Sequence, residues 1–175
     1  MCQGESSLLE PGLADVYFEH LPPGPRLVII GAGNDALPLE RMAREVGWMT
    51  CVSDYRADFA VSSRFPAADQ LATASLDDLP GLLSLDSQTF VVLMTHGYLA
   101  DRTLLPALLA SDCPYVGMVS SRQRSVRLLD DLKMDRPAKF HAPVGLNLGA
   151  EGPEEIALSI LAEMQGVLSQ CAASR

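Results

Sequence analysis

Leu27-Val28-Ile29-Ile30 runs directly into Gly31-Ala32-Gly33-Asn34-Asp35-Ala36, an apolar stretch followed by a Gly-x-Gly-x-x-Ala turn. Such a stretch suits a strand buried on both faces of a parallel sheet, and the turn hands that strand to a helix N-terminus. Gly31 stands where the turn needs a backbone geometry closed to residues with a Cβ, and Gly33 where a ligand approaches the main chain. Asn34 adds a side-chain amide at the tip, and Ala36 is small enough for the helix to pack on the strand. The free N–H groups and positive end of that helix suit a phosphate or a carboxylate. The motif says little alone; the strand before it and the helix after it give it weight. Asp54 follows Gly31 by 23 positions, at the end of Trp48-Met49-Thr50-Cys51-Val52-Ser53. An acid at an offset of about 20 residues ends the second strand of a dinucleotide-binding unit and meets a ribose hydroxyl. The alternative is that Asp54 caps the loop after a buried strand.

In a doubly wound sheet, ligands bind beyond the carboxyl ends of the strands, so the residues after each apolar run define a candidate site. Besides the glycine turn they are Asp54-Tyr55-Arg56, Thr95-His96-Gly97 after Thr89–Met94, and Ser120-Ser121-Arg122-Gln123-Arg124 after Tyr115–Val119. The candidate binding residues are therefore Gly31, Gly33, Asn34, Asp54, Arg56, Thr95, His96, Ser120, Ser121, Arg122 and Arg124. His96 has an ordinary pKa near neutrality and suits general acid–base work, the one candidate for catalysis. A loop histidine bonded to backbone is the commoner role, and no nucleophile or carboxylate partner stands near His96 in sequence. Ser120-Ser121-Arg122 opens a helix, where hydroxyls, amides and a guanidinium would hold a phosphate, or where serine simply caps. Arg56 and Arg64 read as solvated or paired surface arginines. His141 and Asn147 lie in a glycine- and proline-containing loop that could wall a pocket.

The whole chain must position these groups. Its 175 residues are expected to form one Rossmann-like domain over 15–172 behind a loose lead-in over 1–14. A composition of 48% hydrophobic and 20% charged residues is that of an ordinary globular protein. A net charge of -9 argues against nucleic acid or an anionic membrane as partner. No apolar run reaches the roughly 18 residues that span a bilayer, and a basic-then-apolar secretory pattern is missing, so a cytoplasmic location is expected. Cys2, Cys51, Cys113 and Cys171 show neither a disulfide framework nor zinc spacing, and His20, His96 and His141 share no metal spacing. No metal site is expected.

Taken in order, Asp15–His20 alternates like a short edge strand, and Leu21-Pro22-Pro23-Gly24-Pro25 forms a stiff connector. Leu37, Met42 and Val46 mark the apolar face of a first helix that ends at Gly47. Residues 55–69 are irregular, 70–74 a short strand, and 76–85 a short helix. A leucine-rich helix covers 101–110, another runs to about Leu132, and a last one starts at Pro153-Glu154-Glu155 with Ile156, Ile160, Leu161, Met164, Val167 and Leu168 on one face. The fold class is α/β: a doubly wound, mostly parallel sheet in three layers.

These segments together resemble the C-terminal Rossmann-type domain of the XdhC/CoxI family of molybdenum-hydroxylase accessory proteins. The likeness runs from about Val16 to Met164. Its matching residues are Val28–Ala36, Val52–Arg56, Arg64-Phe65-Pro66, Met94-Thr95-His96, Tyr115-Val116-Gly117, Ser121–Arg124 and the long run His141–Ala157. The resemblance implies a non-catalytic protein that binds molybdenum cofactor (molybdopterin), protects it, supports its sulfuration and helps insert it into xanthine dehydrogenase or a related hydroxylase. It implies that hydroxylase, and a cofactor sulfurase, as partners. Full-length members carry an additional N-terminal domain that this chain is expected to lack, apart from its short lead-in. Ser53-Asp54-Tyr55-Arg56 also departs from the more common Asp-x-Arg followed by proline, and Ser120-Ser121 from Gly-Ser or Gly-Pro. Two other functions fit the same residues. One is an NAD(P)-dependent oxidoreductase using Gly31, Gly33 and Asp54 for the cofactor and His96 for the proton. The other is a nucleotide-binding regulatory module. The fold alone suggests a homodimer.

Overall fold

A computed structural model describes residues 24–173. Six strands form one sheet: β1 (Arg26–Ile30), β2 (Met49–Asp54), β3 (Gln70–Thr73), β4 (Thr89–Leu93), β5 (Tyr115–Met118) and β6 (Phe140–His141). Their order is β3-β2-β1-β4-β5-β6, and every neighbouring pair is parallel. The helices are α1 (Ala36–Glu45), α2 (Leu79–Leu82), α3 (Tyr98–Ala110), α4 (Arg122–Leu132) and α5 (Pro153–Ala173). The expected α/β, doubly wound, Rossmann-like architecture is the observed one. Among the described residues no helix is long and apolar enough to cross a membrane.

β1, β4 and β5 read as nearly unbroken apolar runs because both sheet faces are covered there. The side chains of the strands alternate between two cores. Val28, Ile30, Cys51, Val91, Leu93, Val116 and Met118 point to the side of α2, α3 and α4. Leu27, Ile29, Val52, Phe90, Val92 and Tyr115 point to the side of α1 and α5. On that second side an aromatic row crosses the sheet, with Trp48 edge-on to Phe90 at 4.9 Å and Phe90 stacked with Tyr115 at 5.7 Å.

Four sequence expectations are corrected. The buried face of α1 is Ala36, Leu39 and Ala43, whereas Val46 is 58% exposed and Leu37 and Met42 sit at the core margin. Small residues bring α1 close to the sheet, so the large apolar side chains do not mark its inner face. The segment 76–85 contributes only the single turn of α2, and α3 starts earlier than residue 101, at Tyr98. Phe140-His141, read as part of a loop, pairs with Val116-Gly117 as the edge strand β6. The edge strand expected over 15–20 lies outside the described residues.

Candidate functional site

The glycine turn is built from below by two neighbouring strands. Gly31 has φ +109°, and a Cβ there would lie 2.4 Å from the Met94 carbonyl group and 2.6 Å from Thr95 N. The end of β4 therefore demands glycine at 31. Gly33 differs: its φ is not positive, and a Cβ there would meet nothing within 4 Å. Asp54 lies wholly buried beneath the turn. Its Oδ2 accepts from Ala32 N–H at 2.8 Å, its Oδ1 from the Arg56 N–H and Nε–H at 2.9 Å each, and Oδ2 also from Arg56 Nη2 at 2.8 Å. Burial raises the Asp54 pKa, but the bonds from Arg56 and Ala32 outweigh it and hold the carboxyl below the usual range. The Arg56 guanidinium in turn lies 3.5 Å over the Phe59 ring centroid. Asp54 thus fastens the turn from the end of β2, and both its oxygens are engaged.

Arg64, read from the sequence as a surface side chain, is the second fastener. Its Nη1 donates to Ala32 O at 2.5 Å and Phe59 O at 3.2 Å, and its Nη2 to Asn34 Oδ1 at 3.0 Å. The signal that marks Arg64 is the Arg64-Phe65-Pro66 match, since buried Phe65 anchors the loop that carries it.

Beyond β4, the Thr95 hydroxyl donates to Asp101 Oδ1, and Gly97 N–H donates back to Thr95 Oγ1 at 3.2 Å. Asp101, on α3 and 2% exposed, also accepts from Arg124 Nη2, while Arg124 Nη1 donates to His96 O at 3.2 Å. Burial dominates at Asp101 and pushes its carboxyl up, against the opposing pull of Thr95 and Arg124. Sequence reasoning missed Asp101; its only signal is an acid placed within a leucine-rich helix. His96 adopts φ 57°, a left-handed conformation in which histidine is enriched. Its Nε2 stands 3.3 Å from Asp35 Oδ2, so the carboxylate partner not visible in the sequence comes from the glycine turn.

Beyond β5, Ser121 is the N-cap of α4 and accepts from Arg124 N–H at 3.2 Å. Arg122 is exposed at the first helical position. Ser120 Oγ and Arg124 Nε are buried with no hydrogen-bond partner. Asp35, His96, Arg124, Asp101 and Thr95 thereby form one polar chain joining the ends of β1, β4 and β5. Two cavities lie at the rim, the second of them walled by His96 and Arg124 of this chain of groups. One, of about 570 Å³, lies beside Asn34, Arg41 and Arg64; the other, of about 620 Å³, lies between the loops after β4 and β5.

His141 and Asn147 line neither of these cavities. His141 stacks on Tyr115 at 4.4 Å, and its Nδ1 lies 3.3 Å from Glu163 Oε1. Glu163 Oε2 accepts from Tyr115 OH at 2.6 Å and Gly145 N–H at 3.0 Å, which ties α5 to β5 and β6. Asn147 is exposed. Among the described residues no group of three or more His, Cys, Asp and Glu side chains converges as a metal site would.

A parallel sheet of this order, with polar loop tips gathered where the strand order reverses, defines a doubly wound domain of the Rossmann class. The family model described as "XdhC Rossmann domain" matches residues 27–164, and the chain belongs to that family. It is 38% identical over 150 residues to a Bacillus subtilis (strain 168) protein described as a probable xanthine dehydrogenase subunit, covering 86% of this chain and 45% of that one. It is 33% identical over 146 residues to the Escherichia coli (strain K12) protein YqeB, described as uncharacterized, covering 80% and 27%. A solved structure described as a xanthine dehydrogenase from Bacillus halodurans superposes with TM-score 0.79 at 36% identity, covering 85% of this chain and 44% of that one. ChuY of Escherichia coli CFT073 shares the fold, at TM-score 0.51 and 12% identity. The chain spans less than half the length of the B. subtilis, K12 and B. halodurans relatives.

Proposed function

We propose that this chain is a non-catalytic accessory factor for a xanthine dehydrogenase-type molybdenum hydroxylase, holding a phosphate-bearing pterin cofactor at the switch-point rim. Gly33 carries the reading. It is a glycine that neither its backbone angle nor any neighbouring protein atom requires, set in the turn beside Asn34 and two residues before Asp35, which meets His96. Bare main chain at such a place suits a ligand lying against it. The donor set also fits an anionic heterocycle: guanidinium, imidazole and hydroxyl groups border the crevice, and Ser120 Oγ and Arg124 Nε lack acceptors. Gly33, Asn34, Thr95, His96, Ser120, Ser121, Arg122 and Arg124 would hold the group. The bound cofactor would supply the molybdenum chemistry of the client enzyme, while this chain's residues grip, orient and shield it.

The structure weighs against a dinucleotide held in the usual way. Both Asp54 oxygens accept from protein donors, so a ribose diol would have to displace Arg56 and Ala32 N–H. His96 and Asp35 form an exposed pair with no nucleophile among their contacts, which suits binding better than turnover.

Parallel titrations with molybdenum cofactor and with NAD(P)H test the proposal. Co-elution of pterin, measured by fluorescence after oxidation, with stoichiometric molybdenum is the expected result, and Gly33→Val should weaken it at least about tenfold through overlap with the ligand. Hydride transfer from NADH to a carbonyl panel, or binding of adenine nucleotide alone, would overturn the reading.

A further inference from the structure

Two cavities border the rim, and they differ in charge. The one beside the glycine turn has a mixed wall, with Glu40 and Glu154 as well as Arg41 and Arg64, and Asp35 stands at the N-cap of α1. Several of the turn's amides are already taken: Ala32 N–H by Asp54, Ala36 N–H by Gly33 O and Leu37 N–H by Asn34 O, the last two at 3.2 Å. A phosphate placed there would meet carboxylates as well as guanidinium groups.

The cavity between the loops after β4 and β5 is walled by His96, Tyr98, Ser121, Gln123, Arg124 and Arg127, with no carboxylate in the wall. Arg124 is held in place, with Nη2 on Asp101 and Nη1 on His96 O, yet its Nε has no acceptor. Ser120 Oγ, next to the lining residue Ser121, is buried in the same condition. Both groups can donate, and leaving buried donors unmatched is costly, so the missing partner is an acceptor with several lone pairs. The nearby carboxylates do not occupy the space. Asp101 is committed to Thr95 and Arg124, Asp131 accepts from Tyr98 OH and lies 4.0 Å from Arg127, and Asp35 faces His96. The Asp131–Arg127 and Asp35–His96 pairs are exposed and exchange easily for a better anion.

We infer that this second cavity is the phosphate subsite of the rim, gripping a phosphate or diphosphate through Ser120, Arg124 and Arg127, and that the glycine turn is not. The inference rests on the reading that the rim takes a phosphate-bearing ligand. It departs from the usual expectation for a glycine-rich turn, where the anion sits on the first helix.

Inorganic pyrophosphate is the probe, titrated into the full chain at low ionic strength by calorimetry and by amide shifts of isotope-labelled protein. Shifts are expected at Ser121, Gln123, Arg124 and Arg127. Ser120→Ala and Arg127→Gln should each weaken pyrophosphate about tenfold, the size of one charge-assisted hydrogen bond, while Val46→Ala, on the exposed end of α1, leaves its affinity unchanged. Unaltered melting confirms that both variants fold. No binding, shifts gathered at Gly33–Ala36, or parental affinity in both variants would overturn the inference. Pyrophosphate bound here without any pterin binding would leave this subsite standing and remove the accessory reading. Pterin binding that ignores Ser120→Ala and Arg127→Gln would do the reverse.

Discussion

The two glycines of one motif should separate cleanly on substitution by alanine. At Gly31 an added methyl meets the Met94 carbonyl group at 2.4 Å and Thr95 N at 2.6 Å, all backbone and just past the end of β4. The φ of +109° adds its own strain, of about 1–3 kcal/mol for a residue with a Cβ. Relieving the overlap means shifting β4 away from β1, at roughly the 1–3 kcal/mol that overpacking costs. Gly31→Ala is therefore expected to lose about 2–6 kcal/mol, a large share of the roughly 5–15 kcal/mol that stabilises a domain. At about 2–4 °C per kcal/mol for a chain of this size, Tm falls by some 4–24 °C. Gly33→Ala meets nothing within 4 Å and needs no unusual backbone angle, so its stability should stay within about 0.5 kcal/mol of the parent. Urea unfolding with an unchanged m-value reads both. A Gly31→Ala midpoint indistinguishable from the parent, or a Gly33→Ala variant as damaged as Gly31→Ala, would refute the division of the motif into a residue for the fold and a residue for the ligand.

The Asp54 carboxyl is held below its ordinary range, so the stability it contributes is complete above its unfolded value of about 3.9 and is lost as pH falls through the lower folded value. Asp54→Asn should cost about 2–3 kcal/mol at pH 7 by leaving Ala32 N–H and Arg56 poorly matched, and the gap to the parent should narrow in acid; urea midpoints that keep a constant gap from pH 7 to pH 3 would contradict this. Glu163→Gln should lose about 1–3 kcal/mol and speed hydrogen exchange at the Gly145 amide, because one carboxylate oxygen serves both that amide and Tyr115 OH. Leu39→Ala should cost about 2–5 kcal/mol and Val46→Ala under about 0.5 kcal/mol in thermal unfolding, and the opposite ranking would restore the helix face expected from sequence.

How much the sequence disclosed follows from which interactions are local. The core strands were legible because a strand covered on both faces is apolar at every position, and β1, β4 and β5 are buried throughout apart from Arg26 at the start of β1. β6 carries no such signal. Its two residues are held in line by β5, where Gly117 leaves room for Val144 and the Tyr115 ring; a Cβ at Gly117 would lie 2.5 Å from Val144 Cγ2. The buried side of α1 differs from the face expected because Ala36 and Ala43, with little apolar signal, share it with Leu39. At the rim, the positions after each strand were readable, since topology alone assembles them. Their partners were not. Asp35 and His96 lie on opposite sides of the switch point, and Asp101 and Arg124 belong to different helices, so neither pairing leaves a spacing in the chain.

The same distinction bears on the roles that a familiar motif assigns to its residues by position. An acid at the end of the second strand can serve a ribose only if the protein leaves its oxygens free, and here Arg56, two residues on, folds back onto both. Arg56 is then braced by Phe59, so releasing Asp54 to a ligand would break the bidentate pair and could also disturb the cation–π contact. The turn is instead clamped from two sides, by Asp54 on the Ala32 amide and by Arg64 on the Ala32 carbonyl. A clamp of that kind fixes the shape of the crevice before anything binds, which reduces the ordering a ligand must impose. What the rim then offers a ligand is what the protein has left unmatched: the bare main chain at Gly33, and the donors of Ser120 and Arg124.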